Sequence, residues 1–117
     1  MTTSAQRTTT LTYTGDVAGV EAIAATTNLA SPAQTQLLTL AIGDNVITVP
    51  GGGSIPVACT IVKPSGNVVA IKIKGIAGDT GVRLHGTDPD TISIDPTTTS
   101  FILNVAAQIV GVRLFWT

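Results

Sequence analysis

His85, Cys59, Ser54 and four aspartates, Asp79, Asp88, Asp90 and Asp95, are the side chains here with the most chemistry to offer. His85 is the only histidine, so one chain can build neither a two-histidine metal site nor an imidazole relay. A catalytic imidazole also needs a nucleophile or carboxylate within reach. Alternation puts His85 on the strand face of Arg83, which reads as solvent or interface. Asp88-Pro89-Asp90 offers two hard oxygen ligands for calcium, but the glycine and terminal glutamate of an EF-hand loop are missing. Aspartate before proline or threonine more simply caps a turn, its carboxylate accepting a backbone N–H. The turn reading is therefore preferred for these aspartates, with a weak calcium site as the alternative.

Cys59 is the lone cysteine, and no charged residue lies within three positions of it. A reactive thiol needs a cationic or helix-terminal setting, whereas Cys59 falls on the apolar side of a strand pattern and reads as a small buried hydrophobe. The run Gly51-Gly52-Gly53 is followed by no Lys-Ser/Thr pair and opens no helix, so it is not a phosphate loop. Ser54 lacks the flanking pattern of a nucleophile elbow. A hydrolase has nothing to build on here, and no cofactor or metal is expected.

These side chains would sit on a chain of 117 residues, long enough for one domain with a real core and too short for two. The net charge of -1 gives no electrostatic handle on nucleic acid or on an anionic membrane. No apolar run approaches the ~18 residues of a membrane span, and MTTSAQRTTT lacks a signal-peptide core. Charged residues make up only 11% of the chain, against about 25% in ordinary soluble domains. Charged surface keeps copies apart, so this shortage calls for burial against partner subunits.

The positioning elements read as strands. Residues Met1–Thr10 are polar, without apolar periodicity, and read as an extended arm. Leu11 and Tyr13 alternate with threonines as a strand would, whereas VAGVEAIAATTN leaves a short helix open within Leu11–Asn28. From Gln36 onward Leu38, Leu40 and Ile42 alternate. The turn Gly43-Asp44-Asn45 and the run Val46–Val49 then complete an expected hairpin. Val57, Cys59 and Ile61 form the next strand, and Pro64-Ser65-Gly66-Asn67 turns the chain. Val69, Ile71 and Ile73 face away from Lys72 and Lys74, and Val82 and Leu84 away from Arg83 and His85. Ile92 and Ile94 make a short strand between Asp-Pro breaks, followed by Phe101, Leu103 and Val105. The last strand runs from Gln108 to Trp116, with Val112, Leu114 and Trp116 on one face. About eight short strands punctuated by Gly, Pro and Asp predict an all-β, single-domain β-sandwich of jelly-roll-like type, spanning 11–117 behind the 1–10 arm.

Aromatic residues make up only 3% of the chain. Phe115 and Trp116 are adjacent on one strand and so point to opposite faces, leaving one as core and the other as an interface anchor. Thr8, Thr9 and Thr10 join Phe115 and Trp116 as candidate interface residues.

The Thr-rich arm MTTSAQRTTT, the closing run IVGVRLFWT and the charge-poor Thr/Gly/Ala/Val composition resemble the small β-structured virion proteins of tailed bacteriophages. Head decoration (cement) proteins are the nearest in kind. The resemblance implies a non-enzymatic protein that stabilises an assembled capsid lattice by self-association and an N-terminal arm. Its own copies, as a trimer, and the major capsid protein or another virion protein would be its partners, in a virion assembled in the host cytoplasm. The alternatives are a tail or fibre component, or a carbohydrate-binding module with Trp116 exposed beside Asp79, Asp88 and Asp90.

Overall fold

The computed structural model describes residues 6–9, 25–28, 34–51 and 56–117, and everything described is strand, turn or loop, with no helix. In chain order the strands are β1 (Gln6–Thr9), β2 (Ala25–Asn28), β3 (Gln34–Leu40), β4 (Gly43–Thr48) and β5 (Ala58–Val62). They continue as β6 (Ile71–Lys74), β7 (Val82–Arg83), β8 (Asp90–Ser93), β9 (Ser100–Val105) and β10 (Ile109–Trp116). β1 and β2 pair antiparallel as a two-stranded ladder, and the other eight form two four-stranded sheets. That ladder crosses the boundary expected after Thr10, and its β2 makes Ala25–Asn28 extended rather than helical. Thr10, most of Leu11–Asn28, and Gly52–Ser54 lie outside the described residues.

Sheet I has the order β3-β10-β5-β8 and sheet II the order β4-β9-β6-β7. The antiparallel pairs are nested: β6 with β7 innermost, then β5 with β8, β4 with β9, and β3 with β10 outermost. One long ribbon folded over on itself in this way, its halves closing into two facing sheets, has jelly-roll connectivity. The expected all-β sandwich is what the chain forms.

The hairpin expected between Leu38 and Val49 does not form. β3 lies in sheet I and β4 in sheet II, and only Ala41 and Ile42 separate them. Asn45 serves this crossover instead of a hairpin turn. Its Oδ1 accepts the Ala41 N–H at 3.0 Å, and its Nδ2 donates to the carbonyls of Ala41 (2.8 Å) and Leu103 (3.1 Å). The side chain thus supplies the partners that a departing backbone loses. Gly43 enables the corner by taking φ +100°, a region L-residues with a Cβ avoid.

The core lies between the sheets. Cys59 and Ile61 of β5 and Val112, Leu114 and Trp116 of β10 face Ile47 of β4, Ile71 of β6 and Phe101, Leu103 and Val105 of β9. The Trp116 and Phe101 rings meet across the sheets at 6.0 Å, tilted by 54°, in the offset range where aromatic pairs attract. β10 carries an irregularity the alternation did not reveal. Val110 pairs with Thr39 and Val112 with Leu38, so Gly111 is an extra residue with φ +90°. This bulge brings Ile109 and Val112 onto the same inner face, where both are buried, although their spacing of three would otherwise oppose them.

Candidate interaction surface

Ser54 lies outside the described residues, and the structure places the other candidate chemical residues. Cys59 is fully buried, and burial pushes its thiol pKa up to about 12, so it stays protonated and inert at neutral pH. Asp79 Oδ2 accepts the N–H groups of Gly75 (3.2 Å) and Ile76 (3.1 Å). Asp95 Oδ1 accepts the Thr97 N–H at 2.8 Å and its hydroxyl, and these bonds hold the carboxyl below its usual range. His85 is exposed, and its Nδ1 accepts the N–H groups of Asp88 (2.9 Å) and Thr87 (3.3 Å), which closes the turn between β7 and β8. Asp90 is engaged on both oxygens: Oδ1 accepts the His85 N–H, and Oδ2 pairs with Lys63 Nζ. Among the described residues no three His, Cys, Asp or Glu side chains gather as a metal cluster. Asp79, Asp95, His85 and Asp90 thus cap turns and close corners.

The five interface candidates divide. Thr8 and Thr9 belong to β1, where they pair with Thr26 and Ala25, and Thr10 lies outside the described residues. Trp116 is core: it is fully buried, with Nε1 donating to Gln36 Oε1 at 3.2 Å. It offers nothing to a partner's surface or to a sugar ring. Phe115 points to the opposite face, half-buried, in register with Thr35 of β3 and Thr60 of β5.

That outer face of sheet I is the surface most suited to a partner. Leu37 stands on it 70% exposed and Val110 65% exposed. Arg113 lies in register with Leu37 on one side and Val62 on the other, and among the described residues no carboxylate pairs with it. A shallow depression of about 520 Å³ opens beside it, lined by Leu37, Val62, Lys63, Pro64, Ser65, Gly111 and Arg113. Thr60 and Thr91 hydrogen-bond across β5 and β8 at 2.8 Å and complete a face of threonines, aliphatics, Phe115 and one cation.

Sheet II presents a more polar exterior. Asp44 Oδ1 accepts from Lys74 Nζ at 3.0 Å and from Asn104 Nδ2 at 2.6 Å, and these bonds depress the Asp44 pKa. Its exposed Val46 is bordered by that network through the Val46–Ile102 and Ile102–Lys74 register. Leu37 is hard to single out in the sequence as a surface residue because β3 has leucines at both parities, and Leu38 and Leu40 carry the inner row. The visible signal was Leu37 itself, an apolar residue at a position that alternation assigns to solvent.

The chain matches no protein-family model, no curated protein and no solved structure.

Proposed function

We propose that this protein is a non-enzymatic structural subunit of an assembled particle, contacting its own copies and a surrounding protein lattice. The setting its sequence resembles is the head of a tailed bacteriophage, where such a protein would act as a decoration subunit of a virion assembled in the host cytoplasm. The observation that carries the reading is the outer face of sheet I. Leu37 and Val110 stand exposed there on a chain with only 11% charged residues. Exposed apolar side chains with so little charge to keep copies apart favour burial between subunits. The jelly roll adds a compatible scaffold, though the same architecture serves lectins and enzymes and so specifies no role alone. A part that binds only the assembled state stabilises that state by mass action.

The carbohydrate-binding alternative depended on an exposed Trp116, and the buried indole removes its stacking platform. Quantitative mass spectrometry of particles purified from cells that make the protein tests the structural reading. A fixed copy number per particle, lost when residues 1–10 are deleted, is the expected result. Particles that form with full stability and without the chain would sink it.

A further inference from the structure

The four sheet edges are guarded unequally. β7 is two residues long, β8 is four and carries Asp90 in its ion pair, and β4 carries Asp44 in its network with Lys74 and Asn104. β3 runs for seven residues, QTQLLTL, with no charge, proline or glycine. Among the described residues only β10 lies beside it. A long uncharged edge leaves a row of backbone N–H and C=O groups ready to template another strand, and natural proteins usually blunt such edges with charge, proline or bulges.

We propose that β3 pairs with β3 of a second copy, antiparallel about a two-fold axis centred on Leu37, joining two four-stranded sheets into one of eight. This rests only on the self-association half of the reading above. A two-fold contact requires a patch complementary to itself, and the outward row of β3 has that property. Thr35, Leu37 and Thr39 read the same in both directions. Centred on Leu37, the pairing sets Leu37 opposite its counterpart and Thr35 opposite Thr39 on either side. Threonine pairs across strands are favourable, and this chain already makes one between Thr60 and Thr91. Leu37, exposed in one copy, is covered in two. Among the described residues of the sheet, the charges nearest the contact are Arg113 on each β10, three strand spacings or about 14 Å apart, beyond the ~8 Å screening length of physiological salt. A strand from an unrelated protein would have no use for the palindromic row, which is why a second copy is the occupant.

The test is register-specific cross-linking of the full chain. Leu37→Cys should oxidise to a covalent dimer, with Cys59 silent because it is buried. Thr35→Cys and Thr39→Cys should each stay monomeric on denaturing gels when oxidised alone, and should cross-link when mixed. Leu37→Lys should shift the native protein to a species of half the mass, with its circular dichroism unchanged. Cross-linking of Leu37→Cys no greater than that of Thr48→Cys on β4, or self-linking of Thr35→Cys, would overturn the proposal. Particle incorporation without the Leu37→Cys dimer sinks the β3 contact alone, whereas the dimer without incorporation sinks the particle role alone.

Discussion

Lys63 and Asp90 form an ion pair at the end of the sandwich core, with side chains only 1% and 17% exposed. Lys63 continues the inward series Cys59, Ile61 by one more step, and Asp90 stands in register with Ile61 on the neighbouring β8. The ammonium group also donates to the Asp88 carbonyl at 2.8 Å. The pair therefore ties the loop after β5 to the loop before β8, the two connections that flank the β6–β7 hairpin.

Removing one member of such a pair leaves a buried charge without compensation. Asp90→Ala should destabilise the protein by about 3–5 kcal/mol, whereas replacing both members with apolar residues of similar volume is often neutral or stabilising. The double substitution Lys63→Met with Asp90→Leu should therefore recover most of the loss. Guanidinium unfolding followed by circular dichroism measures both. Equal stability of Asp90→Ala and the parent would show that Lys63 reaches water instead.

Gly111 gives a second prediction with two arms. A Cβ there meets nothing closer than Pro64 Cβ at 3.8 Å, so the cost of Gly111→Ala is conformational. A left-handed backbone costs an L-residue about 1–2 kcal/mol, and the midpoint of unfolding should fall accordingly. Deleting Gly111 is different in kind, since removal of the extra residue leaves Ile109 and Val112 two apart and so on the same face of a regular strand. The row Ile109, Val112, Leu114, Trp116 then keeps its place in the core, and the deletion variant should fold. A collapsed amide spectrum from it would show that the bulge does more than keep these side chains in phase.

This bulge marks where the fold was legible in the sequence and where it was not. The rows Phe101, Leu103, Val105 and Val112, Leu114, Trp116 alternate with period two, and all six are buried as that period requires. Strand order is a matter of contacts distant in sequence, such as Trp116 beside both Gln34 and Cys59. Local turn chemistry is blind to these. Gly43-Asp44-Asn45 has the composition of a hairpin turn, yet the same residues suit a corner between sheets, with Asn45 bracing Ala41. Lys63 gives no core signal in the sequence, because lysine is rarely buried unless paired and its partner lies 27 positions away. The interface candidates Phe115 and Trp116 needed only the question of which one faces in, and the Gln36 amide beside the indole answers it.

The hydrogen bond from Trp116 Nε1 to Gln36 Oε1 carries its own consequence. Gln36→Leu removes the acceptor and leaves a buried N–H unsatisfied, a loss of about 1–3 kcal/mol. Trp116→Phe in the same background removes the orphaned donor as well, so the two substitutions should be less than additive in a double-mutant cycle. Strict additivity would mean that the indole N–H finds another partner.

Acid should act on the protein through Asp44 and Asp95. Both carboxyls are held below their usual value of 3.8, Asp44 first by the Asn104 and Lys74 hydrogen bonds and Asp95 by the Thr97 hydroxyl and N–H. A depressed folded-state pKa contributes stability that is present above the unfolded value and is lost as pH falls through the folded one. Unfolding midpoints should hold steady down to about pH 4 and drop below it. In Asp44→Asn with Asp95→Asn that drop should be shallower.

Cys59 sets the opposite limit. Burial raises its folded-state pKa from 9.0 to about 12, so above pH 9.0 the unfolded chain releases a proton that the folded chain keeps. Folding stability attributable to this thiol is then undiminished below the unfolded pKa and declines as pH rises from there towards the folded one, by up to about 1.4 kcal/mol per pH unit. Cys59→Ala leaves a small cavity but removes this slope, so the variant should be less stable at pH 7 and lose less between pH 9 and 11. Ellman's reagent gives an independent reading at neutral pH. The native thiol should be unreactive and should titrate fully in guanidinium, and prompt labelling of the native protein would contradict its burial between Ile92 on β8 and Trp116 on β10.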